Sequence, residues 1–270
     1  MRAKQRTVLY RWSRRAKIFS IDKRQKFVIS VLLLTIGLIY TEFQFGKAGV
    51  VISFFLAFLT DLFLFWGLYK DIKERSVYEV FTLPFLYSLS FGLFCFLTPN
   101  FIYKIVLAIV YAFGMYSLYL SQNIFVVSST RTIALLSGAR IVSFVVTLVS
   151  FFLLTNVVFT LHISIFLELF LVLIYTYILF YHSLWTYALQ KITQPLAIWV
   201  SALTMCITEL TAIMWFWRSR PPIVALFLTG FFYIVAGLSH IWFEKRFFKG
   251  ILWEYAWVGF AVIFVLLAFS

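Results

Sequence analysis

Long apolar runs separated by short polar turns dominate the pattern of this chain. A helix that spans a bilayer needs about 20 predominantly apolar residues, and nine stretches meet that need. They cover residues 27–43, 48–69, 77–97, 101–121, 134–157, 162–187, 195–217, 222–242 and 251–269. Gly, Pro or Asn turns the chain in the short connections QFGKAG, LTPN and RSRPP. The pattern predicts an all-α, polytopic membrane bundle of about nine transmembrane helices.

Composition supports this prediction. The 270 residues are 63% hydrophobic and 12% charged, whereas soluble domains average about 45–50% apolar and about 25% charged residues. We therefore expect a single transmembrane domain over residues 27–270, with no soluble catalytic domain beside it.

Basic residues concentrate in the first 26 positions. Ten of the 23 Lys and Arg residues fall there, in a chain of net charge +13. Next to a membrane span, such a segment sets topology or binds anionic lipid headgroups. We expect residues 1–26 to form a basic cytoplasmic segment whose partner is the lipid surface, and we expect no nucleic acid partner.

The distribution of Lys and Arg predicts an orientation. With the amino terminus in the cytoplasm, 19 of the 23 basic residues fall on the cytoplasmic side, as the positive-inside rule requires. The other four are Lys47, Lys104, Arg218 and Arg220. The sequence thus predicts an integral protein of the plasma or inner membrane with its carboxyl terminus outside.

A weak internal repeat relates the first four predicted helices to the next four. Helix starts 27, 48, 77 and 101 pair with positions 141, 162, 195 and 222. Because each unit holds four helices, both units start on the same side of the membrane, which makes a parallel 4+4 repeat followed by a final helix. Chance similarity between apolar helices is the alternative.

The sixth apolar run, which contains FLELFLVLIYTYILFYHSLW, carries two ionisable residues. Glu168, Tyr175 and His182 are spaced by seven, nearly two helical turns, so they share one face of a helix. An ionisable side chain that faces lipid at mid-depth costs about 2.5–3.5 kcal/mol or more. This stripe is therefore expected to face protein or water.

Neighbouring helices carry polar faces of their own. The fifth has Arg140, Ser143, Thr147 and Ser150, the seventh has Gln194, Ser201, Thr204, Thr208 and Thr211 with Glu209 a quarter turn away, and the eighth has Thr229, Tyr233 and His240. We expect these helices, five to eight, to line a polar interior with an outer acidic site of Glu168 and Glu209. Candidates for a cargo or proton site are Asp61, Glu168, Tyr175, His182, Glu209, His240 and Arg140. Alternatively, the hydroxyl groups only bond neighbouring helices or their own backbone.

Three functions fit this pattern. The first is transporter-like binding or translocation of a small cargo or of protons. The second is a non-enzymatic scaffold or partner subunit of a membrane complex, which the low count of 11 Gly and 5 Pro favours, because bending transport helices use both residues. The third is an enzyme acting on a lipid-borne substrate through His182, His240, Glu79 and Glu254. The sequence has no metal-ligand spacing and no catalytic motif, so no metal, no cofactor and no specific catalytic residue is predicted.

Overall fold

The computed structural model describes residues 22–44, 49–75, 78–128, 134–188, 196–217, 219–245 and 249–269, and within these ranges it contains nine α-helices and no strand. The helices are α1 (Lys23–Gln44), α2 (Gly49–Arg75), α3 (Thr82–Leu97), α4 (Phe101–Ser128), α5 (Leu136–Thr160), α6 (Ile165–Ala188), α7 (Leu196–Phe216), α8 (Pro221–Glu244) and α9 (Lys249–Phe269). Eight of them, α2 to α9, are long and apolar enough to cross a membrane. The predicted helical membrane bundle is therefore confirmed.

Helices that follow one another along the chain run in opposite directions. Lys23, in the first turn of α1, forms an ion pair with Asp71 near the end of α2. Arg140, near the start of α5, lies 3.7 Å from Glu244 at the end of α8. We call the side of the bundle that holds these ion pairs the basic end, and the side that holds His162 the far end.

The helices pair in the same way in the two halves of the bundle. In unit one, which we define as α1–α4, α1 packs against α2 and α4, and α2 packs against α3. In unit two, α5–α8, α5 packs against α6 and α8, and α6 packs against α7. This shared pairing is the arrangement that a parallel repeat would produce.

Burial establishes how residues of the two units correspond. On α2 and α6, most buried positions of α2 coincide with buried positions of α6 when residues 115 positions apart are compared. The pairs are Ser53 with Glu168, Thr60 with Tyr175, and Gly67 with His182. The starts of the apolar runs predict a register of 114 residues for this pair of helices, one residue shorter, because the start of a run does not show which face is buried.

Two further helix pairs show the same agreement of buried positions. On α4 and α8, buried residues 121 positions apart coincide, as Tyr111 does with Phe232 and Tyr119 with His240, and this is the register that the sequence predicts. On α1 and α5 the buried residues coincide at 116 positions, as Phe27 does with Ser143.

The two units meet mainly at α5, with a smaller contact between α3 and α6, and α9 lies outside both. Helix α5 packs against α3 and α4 of unit one, whereas α9 packs against α8. Gly230 and Gly237 allow the close approach of α9, because a Cβ atom at Gly230 would strike Val262 and one at Gly237 would strike Tyr255. Here the absence of a side chain decides where the last helix lies.

Candidate functional site

The predicted polar stripe of α6 faces the interior of unit two. Glu168 is 1% exposed, Tyr175 6% and His182 0%. Their spacing of seven places them along one line of the helix, about 10 Å apart from one to the next at 1.5 Å per residue. The ionisable side chains of this line are therefore held inside the bundle.

Glu168 stands at the far end of this stripe, in the first turn of α6. Neither of its carboxylate oxygens has a hydrogen-bond partner among the residues that the structure describes. The imidazole of His162 is close enough to interact electrostatically with the carboxyl group. Buried polar atoms are nearly always satisfied in proteins, so the carboxyl group calls for a proton, a water molecule or a ligand.

Tyr175 occupies the middle of the stripe. Its hydroxyl lies 2.8 Å from Oγ1 of Thr155 on α5, and either oxygen can donate the hydrogen bond. The Tyr175 ring meets the ring of Phe151 edge to face at 5.6 Å. Contacts with α5 thus fix the orientation of the phenol, and its hydroxyl is the one polar group of the stripe whose partner is visible.

His182 forms the end of the stripe nearer the basic end. Neither ring nitrogen has a hydrogen-bond partner within the described part of the chain, and the ring lies 5.8 Å from that of Trp185. The next residue, Ser183, has its Oγ 2.9 Å from Nε2 of His240 on α8. The stripe therefore continues into a second polar group on a neighbouring helix.

His240 belongs to a network that reaches the surface at the basic end. Its ring stacks on that of Tyr187, with 4.1 Å between the ring centres. The guanidinium of Arg140 also lies over the Tyr187 ring, 4.6 Å from its centre. Arg140 donates a hydrogen bond from Nε to the carbonyl of Thr186 and lies beside Glu244, which is 37% exposed. Arg140 and His240, both predicted, thus lie together.

The structure places Glu209 elsewhere. Glu209 is exposed on the surface of α7, whereas Glu168 is buried, so the expected outer acidic site of these two residues does not form. The reason is that Glu209, five residues after Thr204 and two before Thr211, lies on nearly the opposite side of α7 from that buried line. The hydroxyl groups of α7 are also engaged within their own helix. Thr204, Thr208 and Thr211 each donate a hydrogen bond to the backbone carbonyl four residues earlier.

Asp61 lies in unit one, apart from the α6 stripe. It is half-buried, and its Oδ1 has no hydrogen-bond partner among the described residues. Tyr119 of α4 is within electrostatic reach of the Asp61 carboxyl and donates a hydrogen bond to the carbonyl of Thr60. The prediction of a polar interior formed by α5–α8 therefore does not extend to Asp61.

Several polar residues of the interior were not singled out from the sequence. Four of them contact predicted site residues but belong to no recognisable sequence motif: Thr155, Ser183, Tyr187 and Glu244. Gln122 is fully buried on α4, and neither atom of its amide has a partner in the described ranges. The sequence places Gln122 just outside the fourth predicted span, which ends at residue 121, whereas α4 continues to Ser128.

Some predicted features lie outside the described residues. They include residues 1–21, which contain most of the expected anionic-lipid segment, together with Gln194 and Arg218. Within the described ranges, no group of three or more His, Cys, Asp and Glu residues could hold a metal ion.

Comparison with known proteins identifies a family. The model of a family described as proteins of unknown function, DUF5656, matches residues 35–269. No curated protein and no solved structure matches the chain. Because the family match covers all but the amino-terminal part and the last residue, this multi-pass helical protein belongs to DUF5656.

Proposed function

We propose that this protein moves protons, or a small polar cargo whose passage depends on protons, through unit two along the α6 stripe. The observation that carries the proposal is the burial of Glu168 and His182 on one helix face without hydrogen-bond partners among the described residues. Ionisable residues inside a membrane bundle are costly and mark ion pathways and proton relays.

Unit one supports the argument that packing alone does not require these groups. At the corresponding positions of α2, Ser53 donates its hydroxyl to the carbonyl of Gly49 and Thr60 donates to that of Leu56. Gly67 leaves room for the ring of Phe27. Small residues therefore suffice to build this helix face, so the acid and the imidazole of unit two are unexplained by the fold.

The stripe contains groups that can pass a proton along the bundle. A carboxyl group and an imidazole each take up and release a proton, and a phenol hydroxyl can both donate and accept a hydrogen bond. The rise between neighbours of about 10 Å exceeds the length of a hydrogen bond. Transfer between Glu168, Tyr175 and His182 therefore requires bridging water molecules, which satisfy buried polar groups in proteins.

The path ends in the network at the basic end. Ser183 follows His182 directly along the chain and is hydrogen-bonded to His240, and the neighbouring Arg140 and Glu244 reach the surface. A proton or cargo leaving His182 would thus meet polar groups that already contact one another. The far end has a single buried acid, Glu168, so the two ends of the path differ in charge and in the number of partners.

Proton flux across liposomes tests the proposal. The purified protein is reconstituted with a pH-sensitive dye inside the vesicles, and a potassium diffusion potential drives protons inward. We expect flux well above that of empty liposomes for the natural protein, and flux at the level of empty liposomes for Glu168→Gln, which keeps the shape of the side chain but cannot carry a charge.

Glu209→Gln is the matched control, because Glu209 is an intramembrane acid on the exposed surface of α7. Its flux should equal that of the natural protein. Equal flux in Glu168→Gln and Glu209→Gln would overturn the proposed path, and so would a natural protein whose vesicles behave like empty ones across a range of driving potentials and added small solutes.

The enzyme alternative has less support in the geometry. Glu254 is exposed on α9, and Glu79 lies in a 3-10 turn before α3, near Tyr181. Within the described part of the chain, no hydrogen bond or ion pair joins either acid to His182 or His240. The four residues expected to serve as acid, base and charge holders are therefore not joined into one site.

A further inference from the structure

The surface of unit one contains an open apolar groove between α1 and α4. It is a cavity of about 180 Å³ lined by Val28, Val31, Leu32, Ala112, Phe113 and Tyr116. An apolar cavity of about 150 Å³ is large enough to bind benzene. The groove therefore has room for one aromatic side chain.

In unit two, the corresponding place is occupied by α9. The register of the repeat relates Ala112 to Tyr233 and Tyr116 to Gly237. The ring of Tyr255 on α9 lies 5.4 Å from that of Tyr233, and its hydroxyl fills the space beside Gly237. Unit two thus carries a helix on this face, whereas no described residue covers the same face of unit one.

The same correspondence holds for the wall that α1 forms. Val28 of the groove corresponds to Phe144 of α5, and the ring of Phe144 stacks on that of Tyr233 at 5.9 Å. Ile234, which corresponds to Phe113, lies against Gly259 of α9. In unit two, the residues equivalent to both walls of the groove therefore contact α9 directly or contact a residue that does.

Helix α9 has a second apolar stripe that is free to fill such a groove. Tyr255, Gly259 and Val262 face α8, at spacings of four and three. Another line with these spacings lies on the opposite side of the helix and consists of Trp253, Trp257, Phe260 and Phe264, which are 68%, 65%, 64% and 61% exposed. Only 6% of the α9 span is buried inside the chain, against 61% of the α5 span.

We infer that the groove between α1 and α4 binds the outer stripe of α9 from a second copy of this chain. Trp257 and Phe260 lie near the middle of α9, as Phe113 lies near the middle of α4, so the two surfaces are at the same depth in the membrane. Each copy offers one groove and one α9, so the contact can be reciprocal and close a twofold dimer. This inference is independent of the proposed transport path.

Cross-linking between two differently tagged copies tests the contact. Both copies lack Cys95 and Cys206, one carries Phe113→Cys, and the other carries Trp257→Cys. A membrane-permeant oxidant should then join the two tags in native membranes. The matched control replaces Trp257→Cys by Met205→Cys, because Met205 is 54% exposed near the middle of α7, and this pair should stay separate.

A second variant tests whether the groove itself is needed. Ala112→Trp places a large side chain in the groove, whereas Ala202→Trp places one on the exposed face of α7. With subunit counting in liposomes, we expect a dimer for the natural protein and for Ala202→Trp, and association weaker by about tenfold or more for Ala112→Trp, as for loss of a central interface contact.

Three results would overturn the inference. They are a natural protein that stays monomeric at every protein-to-lipid ratio, an Ala112→Trp variant that associates as well as Ala202→Trp, and a dimer in which Phe113→Cys links to Met205→Cys as readily as to Trp257→Cys. A monomer that retains a lipid in the groove after purification would identify the occupant as an acyl chain instead of a protein helix.

Discussion

Units one and two share their helix pairing but fill one line of equivalent positions with different chemistry. On α2 this line holds Ser53, Thr60 and Gly67, and two of these side chains bond their own backbone. On α6 the same line holds Glu168, Tyr175 and His182, at comparable burial. The two units thus share a pairing of helices, and along this line of positions only unit two carries ionisable groups.

The difference distinguishes polar groups that are satisfied within their own helix from polar groups whose presence the fold does not explain. Hydroxyl groups in membrane helices commonly bond the preceding turn, and those of α2 and α7 do so. A buried carboxyl group cannot satisfy itself in this way, and that of Glu168 has no partner among the described residues. Comparing the two units therefore identifies α6 as the helix to test for function.

The largest effect is expected where unit two's chemistry is placed in unit one. Ser53→Glu should lower the free energy of unfolding by about 2.5–3.5 kcal/mol or more, which is the cost of an ionisable group inside a membrane. The larger side chain also lacks space, because Gly92 lies against the side chain of Ser53. Ser53→Ala, the control, loses one hydroxyl bond. Unfolding in mixed micelles measures both, and an equally stable Ser53→Glu protein would contradict the comparison.

Gly67→Ala is expected to have the next largest effect. Its Cβ would strike the ring of Phe27, and overpacking of this kind costs about 1–3 kcal/mol. Gly138 in α5 has open space around its Cβ position, so Gly138→Ala should instead stabilise the helix by about 0.5–1 kcal/mol. The thermal unfolding temperatures of the two variants should shift in opposite directions, and shifts in the same direction would show that Gly67 is not packed tightly against Phe27.

Tyr119→Phe and Tyr175→Phe compare one hydroxyl from each unit. Each change removes a hydrogen bond, to the carbonyl of Thr60 and to Thr155 respectively, and each should cost about 0.5–1.5 kcal/mol of stability. Only Tyr175→Phe should also reduce proton flux, because Tyr119 lies outside the α6 stripe. Equal flux in the two variants would remove Tyr175 from the path.

The smallest effect is expected for the hydroxyl groups of α7. Thr208→Val removes a bond from a side chain to the carbonyl of Thr204 in the same helix, and such a change should alter stability by about 0.5 kcal/mol or less. Proton flux should be unchanged. A marked loss of flux would place α7 back in the polar interior that the sequence predicts.

Periodicity and apolar run length were sufficient to predict the helices. Nine runs became nine helices in the described residues, and eight of these are long and apolar enough to span a membrane, where every backbone polar group needs an internal hydrogen bond. The stripe of Glu168, Tyr175 and His182 was also predictable, since a spacing of seven fixes one helix face whatever the tertiary arrangement.

Partners across helices were not predictable. Glu209 is two residues from both Ile207 and Thr211, so it lies on the opposite side of α7. Those residues are buried and Glu209 is exposed, because the packing of α7 against α6 and α8 decides which of the two sides is buried. The contacts of Ser183 with His240 and of Arg140 with Tyr187 join residues far apart in the chain. One sequence without tertiary contacts contains no signal for such pairs.

By itself, the sequence determined that this chain forms a helical membrane bundle and that α6 carries an ionisable face, because both properties follow from the composition and spacing of neighbouring residues. Tertiary structure alone decided that this face is buried in unit two, that its counterpart in unit one is built from small residues, and that α9 covers only one of two equivalent surfaces. These depend on how each helix is rotated and paired, and that is set by side-chain packing between distant segments.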